Sequence, residues 1–429
     1  MRVLVLGSGA REHAMVHAFA GSPSVEALFA APGNPGMEAV AKILNLDIGD
    51  REAVADAASE LAIDLTVVGP EAPLADGIGD VFAGHGLRLF GPVAAAAELE
   101  ASKVFAKEFC FRHQIPTAAA EIVRTAGDAA RAARSFGFPV VLKADGLAAG
   151  KGVLIVATED ELDAALDSLF VTRRFGAAAD LVLVEECLVG TEVSFMVISD
   201  GCRFVSFATS HDYKRVGDDD SGPNTGGMGS HSPAFTLSAG LREQIIDTVI
   251  RPTIAGMAGE GREYRGILYA GLMLTTEGPR VLEFNCRLGD PETQSVLRRL
   301  DGDLAAVFRD AADGRLSGGA LRWTDEVAAC VVLAAENYPG RPRVGDEIVG
   351  ISDAESLPGV VVFHAGTRRD GERLLTAGGR VLSVTATGDT LAEAVDRAYR
   401  AADRITFDGV HRRSDIGADT LGKIGRSGG

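Results

Sequence analysis

The sequence predicts a multidomain protein that combines α/β and α+β regions. Its 429 residues exceed what one hydrophobic core usually serves, and this length suggests roughly two to four domains. Near the N-terminus, an apolar strand at residues 3–6 leads through a glycine-rich turn into a helix, which indicates an α/β domain. From about residue 326, short strands and one amphipathic helix indicate a small α+β domain.

The amino-acid composition restricts the ligands that this chain can bind. Its 60 acidic and 42 basic residues give a formal net charge of -18, which argues against nonspecific binding of nucleic acid or of an anionic membrane. The 5 cysteines are scattered without a C-x-x-C pair, so neither a zinc ribbon nor a disulfide framework is predicted. No apolar run approaches the ~18 residues that a membrane helix needs. We therefore expect a soluble, cytoplasmic protein that binds small molecules.

The first turn of the chain suits a phosphate but not a dinucleotide. Residues 7–12 lead from the strand into the helix, and the N-terminus of a helix favours anions. However, Glu12 occupies the third glycine position of the dinucleotide fingerprint, and no acid ends the next strand at 27–30 to hold a ribose. An NAD site is therefore not predicted. Because loops at the carboxyl ends of parallel strands meet at one sheet edge, we expect one crevice to contain Gly9, Asn34 and Glu71.

A glycine-rich loop within residues 140–153 joins two predicted strands and contains Lys143 and Lys151. It is not a Walker-type loop, because three residues separate Gly146 from Gly150, no Ser or Thr follows Lys151, and a strand comes next. Glycine backbones can still approach phosphate oxygens closely, and the lysines supply charge. The loop is thus predicted to cover phosphates, and the alternative is an ordinary hairpin with two solvated lysines.

Two further segments contain charged residues at informative positions. The helix after residue 92 presents Lys103 and Lys107 on one face because they are four residues apart. The strand at 181–188 ends in two acids, Glu185 and Glu186, and Glu192 lies just beyond it. The end of such a strand can offer backbone donors and acceptors to a planar base. A plain strand end with solvated acids is the alternative.

A long segment at 217–232 contains three consecutive aspartates, 218–220, and several glycines. We expect the aspartates to be solvated and the glycines to form a mobile lid without regular structure.

The second chemical motif is the predicted strand at 281–287. Alternate side chains of a strand share a face, so Glu283, Asn285 and Arg287 should point one way. A carboxylate and an amide oxygen suit Mg²⁺, which takes its remaining ligands from water and substrate phosphates. The alternative is a solvated strand face.

Taken together, these motifs resemble the ATP-grasp superfamily and, within it, the phosphoribosylamine–glycine ligase family. The segments that show the resemblance lie at 7–14, 143–153, 222–229, 269–272 and 282–294, with a further match at 405–409. The resemblance implies a Rossmann-like domain at 1–101, a two-part ATP-grasp region at 102–325 with a lid subdomain at 120–190, and a C-terminal domain at 326–422. Residues 423–429 are expected to be frayed.

The resemblance also implies an activity and a site. The activity joins glycine to 5-phosphoribosylamine with ATP, and Mg²⁺ or Mn²⁺ is the expected metal cofactor. Glu283 and Asn285 would hold the metal, and Arg287, Asp212 and Lys151 would be catalytic. The nucleotide would be held by Lys103, Lys143, Lys151, Gly152, Glu185, Glu186, Leu188 and Glu192. The two other substrates would contact Gly9, Asp212, Arg287, Gly289 and Asp290.

The chain departs from this family's pattern at Ala10, His211 and Tyr213, where glycine, glutamine and histidine are usual. These departures affect the expected substrate contacts rather than the nucleotide site. A monomer or a dimer is expected. Two other functions stay open: an ATP-grasp enzyme with a different acceptor, and a nucleotide sensor without turnover. The Glu283 and Asn285 pair weighs against a sensor, which has little need for it.

Overall fold

A computed structural model describes residues 1–147, 152–235, 237–319 and 321–427. Lys151 and the three residues before it therefore lie outside the described residues. In the described part of the chain, no helix combines the length and the apolar character needed to cross a bilayer.

The N-terminal region is built on a parallel five-stranded sheet with the strand order β3-β2-β1-β4-β5. Strand β1 is buried on both faces, because Leu4 and Leu6 pack in one hydrophobic cluster while Val3 and Val5 pack in another. The predicted strand and the helix after it are thus confirmed. The bounds are β1 (Arg2–Gly7), α1 (Ala10–Ala20), β2 (Ala27–Pro32), β3 (Lys42–Ile43), α2 (Arg51–Glu60), β4 (Leu65–Val68), α3 (Glu71–Ala75), α4 (Ile78–Gly84), β5 (Leu89–Phe90) and α5 (Ala94–Ala101).

A separate antiparallel sheet with the order β6-β9-β7-β8 follows, and two helices cover it. Its small core is independent of the larger ones and contains Ala132, Leu142, Leu162 and Val184. The four strands of this sheet lie within residues 120–190, the range expected for the lid subdomain, whereas α6 precedes that range. The bounds are α6 (Lys103–Arg112), β6 (Ala120–Val123), α7 (Ala126–Phe136), β7 (Val140–Ala144), β8 (Val153–Val156), α8 (Glu159–Leu166) and β9 (Val182–Glu186).

The next unit is an antiparallel sheet with the order β11-β10-β16-β17, and its long strands share both large cores with the N-terminal sheet. Its strands and helices are β10 (Thr191–Asp200), β11 (Phe204–Ser206), β12 (His211–Asp212), β13 (Arg215–Gly217), β14 (Ser221–Asn224), β15 (Gly229–Ser232), α9 (Ala239–Ile245), α10 (Arg251–Gly259), β16 (Arg265–Thr275), β17 (Gly278–Asn285), α11 (Glu292–Leu297), β18 (Leu300–Asp301), α12 (Leu304–Ala312) and β19 (Arg322–Trp323).

The segment 217–232 has regular structure, so the prediction of a structureless lid is wrong. Strands β13 and β14 form a hairpin, and β15 pairs with β20 (Val327–Ala334) of the C-terminal region, where Ser230 lies opposite Cys330. One sheet therefore joins the two regions, and its order is β12-β15-β20-β24-β21, where β21 is Val360–His364 and β24 is Arg380–Gly388. The sequence could not show this pairing because the partner strands are about a hundred residues apart and have no local pattern in common.

The C-terminal region follows the predicted strands and helix closely. Thr390 Oγ1 accepts a hydrogen bond from the backbone N–H of Glu393 at the start of the amphipathic helix. Residues 423–427, expected to be frayed, belong to the last helix. The bounds are β20 (Val327–Ala334), α13 (Ile351–Glu355), β21 (Val360–His364), β22 (Thr367–Asp370), β23 (Arg373–Thr376), β24 (Arg380–Gly388), α14 (Leu391–Ala402) and α15 (Ala418–Ser427).

The first and last regions of the chain pack directly against each other. The backbone N–H of His364 donates to Nδ1 of His13 at 2.9 Å, and Asn34 Nδ2 donates to the His364 carbonyl at 2.8 Å. Burial is the main reason that the pKa values of both imidazoles are lowered, to about 3 for His13 and about 4 for His364. Both rings are therefore neutral at physiological pH.

Candidate active site

A cavity of about 830 Å³ lies where the lid sheet, strand β17 and the N- and C-terminal regions meet. It brings together predicted site residues from separate parts of the chain. The predicted residues that line it are Lys103, Lys143, Gly152, Glu185, Glu186, Leu188, Glu192, Asp212, Glu283, Asn285, Arg287, Gly289 and Asp290. Gly9 is not among the lining residues, but a Cβ at this position would lie 3.8 Å from Asp290 Oδ2. Lys151 lies outside the described residues.

The predicted N-terminal crevice is only partly formed. Glu71, at the start of α3, lines the cavity. Asn34 does not, because its side chain is buried and donates to the backbone carbonyls of Ser8 and His364. The prediction that Asn34 shares the crevice is therefore wrong, and its amide instead joins two regions of the chain.

Strand β17 presents Glu283 and Asn285 to the cavity, as the alternation of a strand requires. Burial would raise the pKa of Glu283, but Lys214, Lys143 and Lys103 lower it below its ordinary value. Glu283 is thus a carboxylate at neutral pH. No group of three or more His, Cys, Asp or Glu side chains that could hold a metal occurs among the described residues. A carboxylate and an amide oxygen still fit a cation that completes its coordination with water and phosphate.

Two lysines, Lys143 and Lys103, line the cavity near Glu185 and the glycine loop. Lys143 Nζ lies 2.8 Å from Glu185 Oε2 and donates to the Leu282 carbonyl at 2.9 Å. Lys103 Nζ donates to the Gly146 carbonyl at 2.7 Å, at the start of the glycine loop. Burial lowers the pKa of Lys103, and Glu283 opposes this shift. The cavity therefore contains two lysines next to the glycine loop, although the protein has a strongly negative net charge.

Arg287 lies past the end of β17 and is held by two acids of the N-terminal region. Its Nε lies 3.2 Å from Glu71 Oε2, and its Nη2 lies 3.0 Å from Glu100 Oε1. Burial lowers the pKa of Arg287, but Glu100 and Glu71 raise it above its usual value. The Cys286 backbone N–H fixes the other Glu100 oxygen at 2.7 Å. The guanidinium is therefore charged and fixed in orientation.

Asp212 lies near two acidic side chains, Glu292 and Glu192, and near the ammonium group of Lys214. The Oδ1 atom of Asp212 is buried and has no hydrogen-bond partner among the described residues. Burial, followed by the charge of Glu292, raises the pKa of Asp212 well above its ordinary value. Lys214 Nζ lies 3.1 Å from Glu192 Oε2 and 3.7 Å from Glu283 Oε1. Burial lowers the pKa of Lys214, but these two acids raise it well above the usual range.

The turn after β17 is fixed by the C-terminal region. Arg380 of β24 pairs with the Asp290 carboxylate at 2.6 Å and donates to the Asp290 carbonyl at 2.6 Å. Gln294 Nε2 donates to Asp290 Oδ1 at 2.7 Å. Glu292 accepts from the hydroxyl groups of Tyr269 and Ser194, at 2.7 and 3.1 Å. Each of these contacts fixes an acidic group at the edge of the cavity.

The three departures from the family pattern have different surroundings. Ala10 is buried at the start of α1. His211 lines the cavity and stacks on His231, with 5.3 Å between ring centroids. Tyr213 does not line the cavity, because its hydroxyl donates to Asp419 at 2.6 Å and accepts from the Gly417 backbone N–H at 2.9 Å.

Sequence reasoning gave no site role to several residues that line the cavity. Lys214 follows Asp212 by two residues, so its position beside that aspartate was an available signal. Lys107 shares a helix face with Lys103, and this spacing was a second available signal. The others come from distant segments and gave no local signal; they are Glu100, Glu292, Arg380 and Asp419.

Comparison with known proteins identifies the family. Three family models cover almost the whole chain: the N domain of phosphoribosylglycinamide synthetase matches residues 1–100, its ATP-grasp (A) domain matches 101–293, and its C domain matches 328–419. The chain belongs to the phosphoribosylglycinamide synthetase family.

Relatives in this family are similar over nearly the full length. The chain is 49% identical over 417 residues to the phosphoribosylamine–glycine ligase of Mesorhizobium japonicum, which covers 97% of this chain and 98% of that protein. It is 47% identical over 421 residues to the ligase of the same name from Escherichia coli, with the same coverage.

Solved structures agree with the family fold. The crystal structure of phosphoribosylamine–glycine ligase from Thermotoga maritima has a TM-score of 0.84 at 34% identity, covering 97% of this chain and 100% of that chain. The biotin carboxylase domain of Hydrogenobacter thermophilus 2-oxoglutarate carboxylase has a TM-score of 0.74 at 18% identity, covering 95% and 91%. This second likeness shows the fold alone.

Proposed function

We propose that this chain ligates glycine to 5-phosphoribosylamine and converts ATP to ADP and phosphate, giving glycinamide ribonucleotide in purine biosynthesis. The relatives named phosphoribosylamine–glycine ligase are nearly half identical to it over 97% of its length. The observation that most supports the proposal is that lysines, Glu283, Asn285, Arg287 and Asp212 all line one cavity. The expected monomer or dimer is part of the same proposal.

The nucleotide is proposed to lie between the lid sheet and β17. Lys103 and Lys143, with Lys151 and Gly152 of the glycine loop, would hold its phosphates, since backbone N–H groups and ammonium groups both attract phosphate oxygens. Glu186, Leu188 and Glu192 line the same cavity and would contact the adenosine. The Glu185 carboxylate already pairs with Lys143, so we expect its side chain to act through that lysine rather than on the base directly.

Glu283 and Asn285 are the residues that would hold Mg²⁺ or Mn²⁺. The lowered pKa of Glu283 supports this assignment, because a carboxyl group binds a metal in its ionised form. When bound, the ion would neutralise charge on the transferring phosphoryl group.

Two transfers complete the proposed reaction. An oxygen of the glycine carboxylate attacks the γ-phosphorus, the bond to the β–γ bridging oxygen breaks, and ADP leaves. The phosphoribosylamine nitrogen then attacks the carbonyl carbon of glycyl phosphate, the carbon–oxygen bond to phosphate breaks, and the nitrogen loses one proton. Phosphoryl transfer needs mainly positioning and positive charge, which the lysines and Arg287 supply.

Asp212 is proposed to accept the proton that the amine loses. Its buried oxygen without a partner among the described residues, and its raised pKa, support a base that operates closer to neutral pH than an ordinary aspartate. Gly289 and Asp290 line the cavity beside it, close to Gly9, and would contact the same substrates.

The test is ADP release by the purified protein with ATP, Mg²⁺ and glycine, with and without phosphoribosylamine generated in the assay. We expect release to require both glycine and the amine. Release that is independent of glycine would indicate a different acceptor. Binding of ATP without release under any condition would indicate a nucleotide sensor, and either result would contradict the proposal.

A further inference from the structure

Lys107 is a buried lysine that faces the nucleotide site but has no role in the reaction described above. It lies one helical turn after Lys103 on α6, and its side chain is 5% exposed. Its ammonium group is surrounded by three protein oxygens: Thr117 Oγ1 at 2.7 Å, the Ala118 carbonyl at 3.0 Å and Glu185 Oε1 at 3.1 Å. An ammonium group has three N–H donors, so these contacts occupy all of them.

Lys143 contacts the other carboxylate oxygen of Glu185, and it differs from Lys107 in how many protein acceptors its ammonium group has. Its ammonium group contacts Glu185 Oε2 at 2.8 Å and the Leu282 carbonyl at 2.9 Å. These are two acceptors for three donors, so in the described part of the chain one Lys143 N–H is left for a ligand in the cavity. Lys143 can thus donate to a phosphate, whereas Lys107 cannot do so without losing a protein contact.

Lys107, Glu185 and Lys143 form a unit of three side chains with a summed formal charge of +1, and Lys143 also interacts with Glu283. The side chains of Lys107, Glu185 and Lys143 are only 5%, 3% and 9% exposed, so solvent screens their charges weakly. The neighbouring Cys110 does not change this charge, because burial raises the pKa of its thiol to about 12. Without Lys107, Glu185 would cancel the charge of Lys143, and the unit would no longer attract an anion.

We propose that Lys107 is a positioning residue that neutralises Glu185, so that Lys143 keeps its positive charge and one free donor for the nucleotide phosphates. This inference rests on the proposed function, because it requires a nucleotide in the cavity. It assigns Lys107 and Glu185 to phosphate recognition, although neither side chain contacts the phosphate.

The test measures the dissociation constant of Mg-ADP for the full chain by titration calorimetry. Lys107→Met removes one charge and keeps the side-chain volume, and we expect about tenfold weaker binding, on the scale of one buried charged hydrogen bond. Adding Glu185→Gln in the same chain restores a net charge of +1, so binding should return to within about threefold of the wild-type value. Lys107→Arg keeps the charge and should also remain near the wild-type value.

A purely structural role for Lys107 gives a different pattern. In that case the double variant would bind no better than Lys107→Met, because a second buried contact is lost, and this result would overturn the inference. Unchanged binding by Lys107→Met would also overturn it. Lys143→Met is the matched comparison, since Glu185→Gln should not rescue a variant that lacks the phosphate donor.

Lys42→Met, at an exposed position of β3, controls for a general change in charge and should bind normally. If the wild-type chain itself fails to bind Mg-ADP, the proposed function fails before the Lys107 variants are compared.

Discussion

At the scale of single residues, Glu283 shows how charge decides the state of a group in the cavity. Burial alone favours the neutral acid, but three lysines around the carboxylate favour the ionised form more strongly. The result is an acid that is ready to bind a cation without first losing a proton.

Replacing Glu283 with alanine should lower turnover by at least ~100-fold, which is the scale of losing one preorganised electrostatic group. Steady-state ADP release at increasing Mg²⁺ concentration measures the effect. Glu60→Ala, an exposed acid at the end of α2, is the control and should have normal turnover. Near-normal rates for Glu283→Ala at saturating Mg²⁺ would rule out Glu283 as the metal ligand.

Asp212→Asn should lower turnover and raise stability together. Burial and Glu292 raise the pKa of Asp212 in the folded state. Ionising Asp212 at pH 7 therefore costs more free energy in the folded chain than in the unfolded chain, so Asp212 destabilises the fold at this pH. We expect turnover to fall by about 100-fold, as for loss of a general base. The amide should raise Tm at pH 7, and this gain should disappear as the pH falls below about 4, where both states are protonated.

Scanning calorimetry at pH 7 and pH 4 and the pH profile of the wild-type rate test these statements about Asp212. The wild-type rate should rise with pH through the Asp212 pKa, at a higher pH than an ordinary aspartate would give. A variant that loses turnover but also loses stability at pH 7 would contradict the raised pKa.

At the scale of elements, the hairpin of β13 and β14 is fixed by the C-terminal segment rather than mobile. Arg413 lies under it, is almost fully buried, and pairs with Asp220 and Asp415, both at 2.7 Å. Asp218 accepts a hydrogen bond from the Ser414 backbone N–H at 2.8 Å. The aspartates 218 and 220 therefore fix the hairpin to the C-terminal segment.

Arg413→Met should loosen this hairpin. It removes the partner of two acids, and breaking such a pair typically costs about 3 kcal/mol or less when one acid is exposed, as Asp220 is. We expect a lower Tm and faster protease cleavage within residues 215–224. Arg400→Met, which breaks an exposed pair with Asp396, is the matched control and should be cleaved at the wild-type rate. Equal cleavage of both variants would show that Arg413 does not hold the hairpin.

At the scale of the whole molecule, the N- and C-terminal regions meet at two buried, neutral histidines. The pKa of His13 is lowered to about 3 and that of His364 to about 4, mainly by burial, so the unfolded chain binds protons that the folded chain excludes. The stability that comes from keeping them neutral is complete above about pH 6.5 and is lost as the pH falls toward these values.

His13→Gln should reduce the loss of stability in acid, because the glutamine carbonyl can accept the His364 N–H bond and does not titrate. Between pH 6 and pH 4, one such histidine contributes about 1.4 kcal/mol per pH unit to the slope of the unfolding free energy. Urea unfolding at several pH values measures the slope. The same slope for His13→Gln and the wild-type chain would contradict the prediction.

Much of the fold was predictable because it depends on local patterns. The period of two in β17 put Glu283 and Asn285 on one face, and the strand-to-helix start of the chain follows from its apolar run and glycine turn. The glycines and lysines of 140–153 indicated a phosphate-binding loop for the same reason, since the chemistry is encoded within a few consecutive residues.

The tertiary structure alone decided which distant groups meet. Glu100 and Glu71 hold Arg287, Arg380 holds Asp290, and Lys107 shares Glu185 with Lys143 across different elements. Within the segment 217–232, which was expected to have no regular structure, β15 pairs with β20. The sequence by itself therefore determined the family, and it indicated the lysines and the Glu283 and Asn285 pair that we propose for phosphate and metal binding. The ion pairs that set their charge depend on chain segments far apart in sequence, and periodicity contains no information about such pairings.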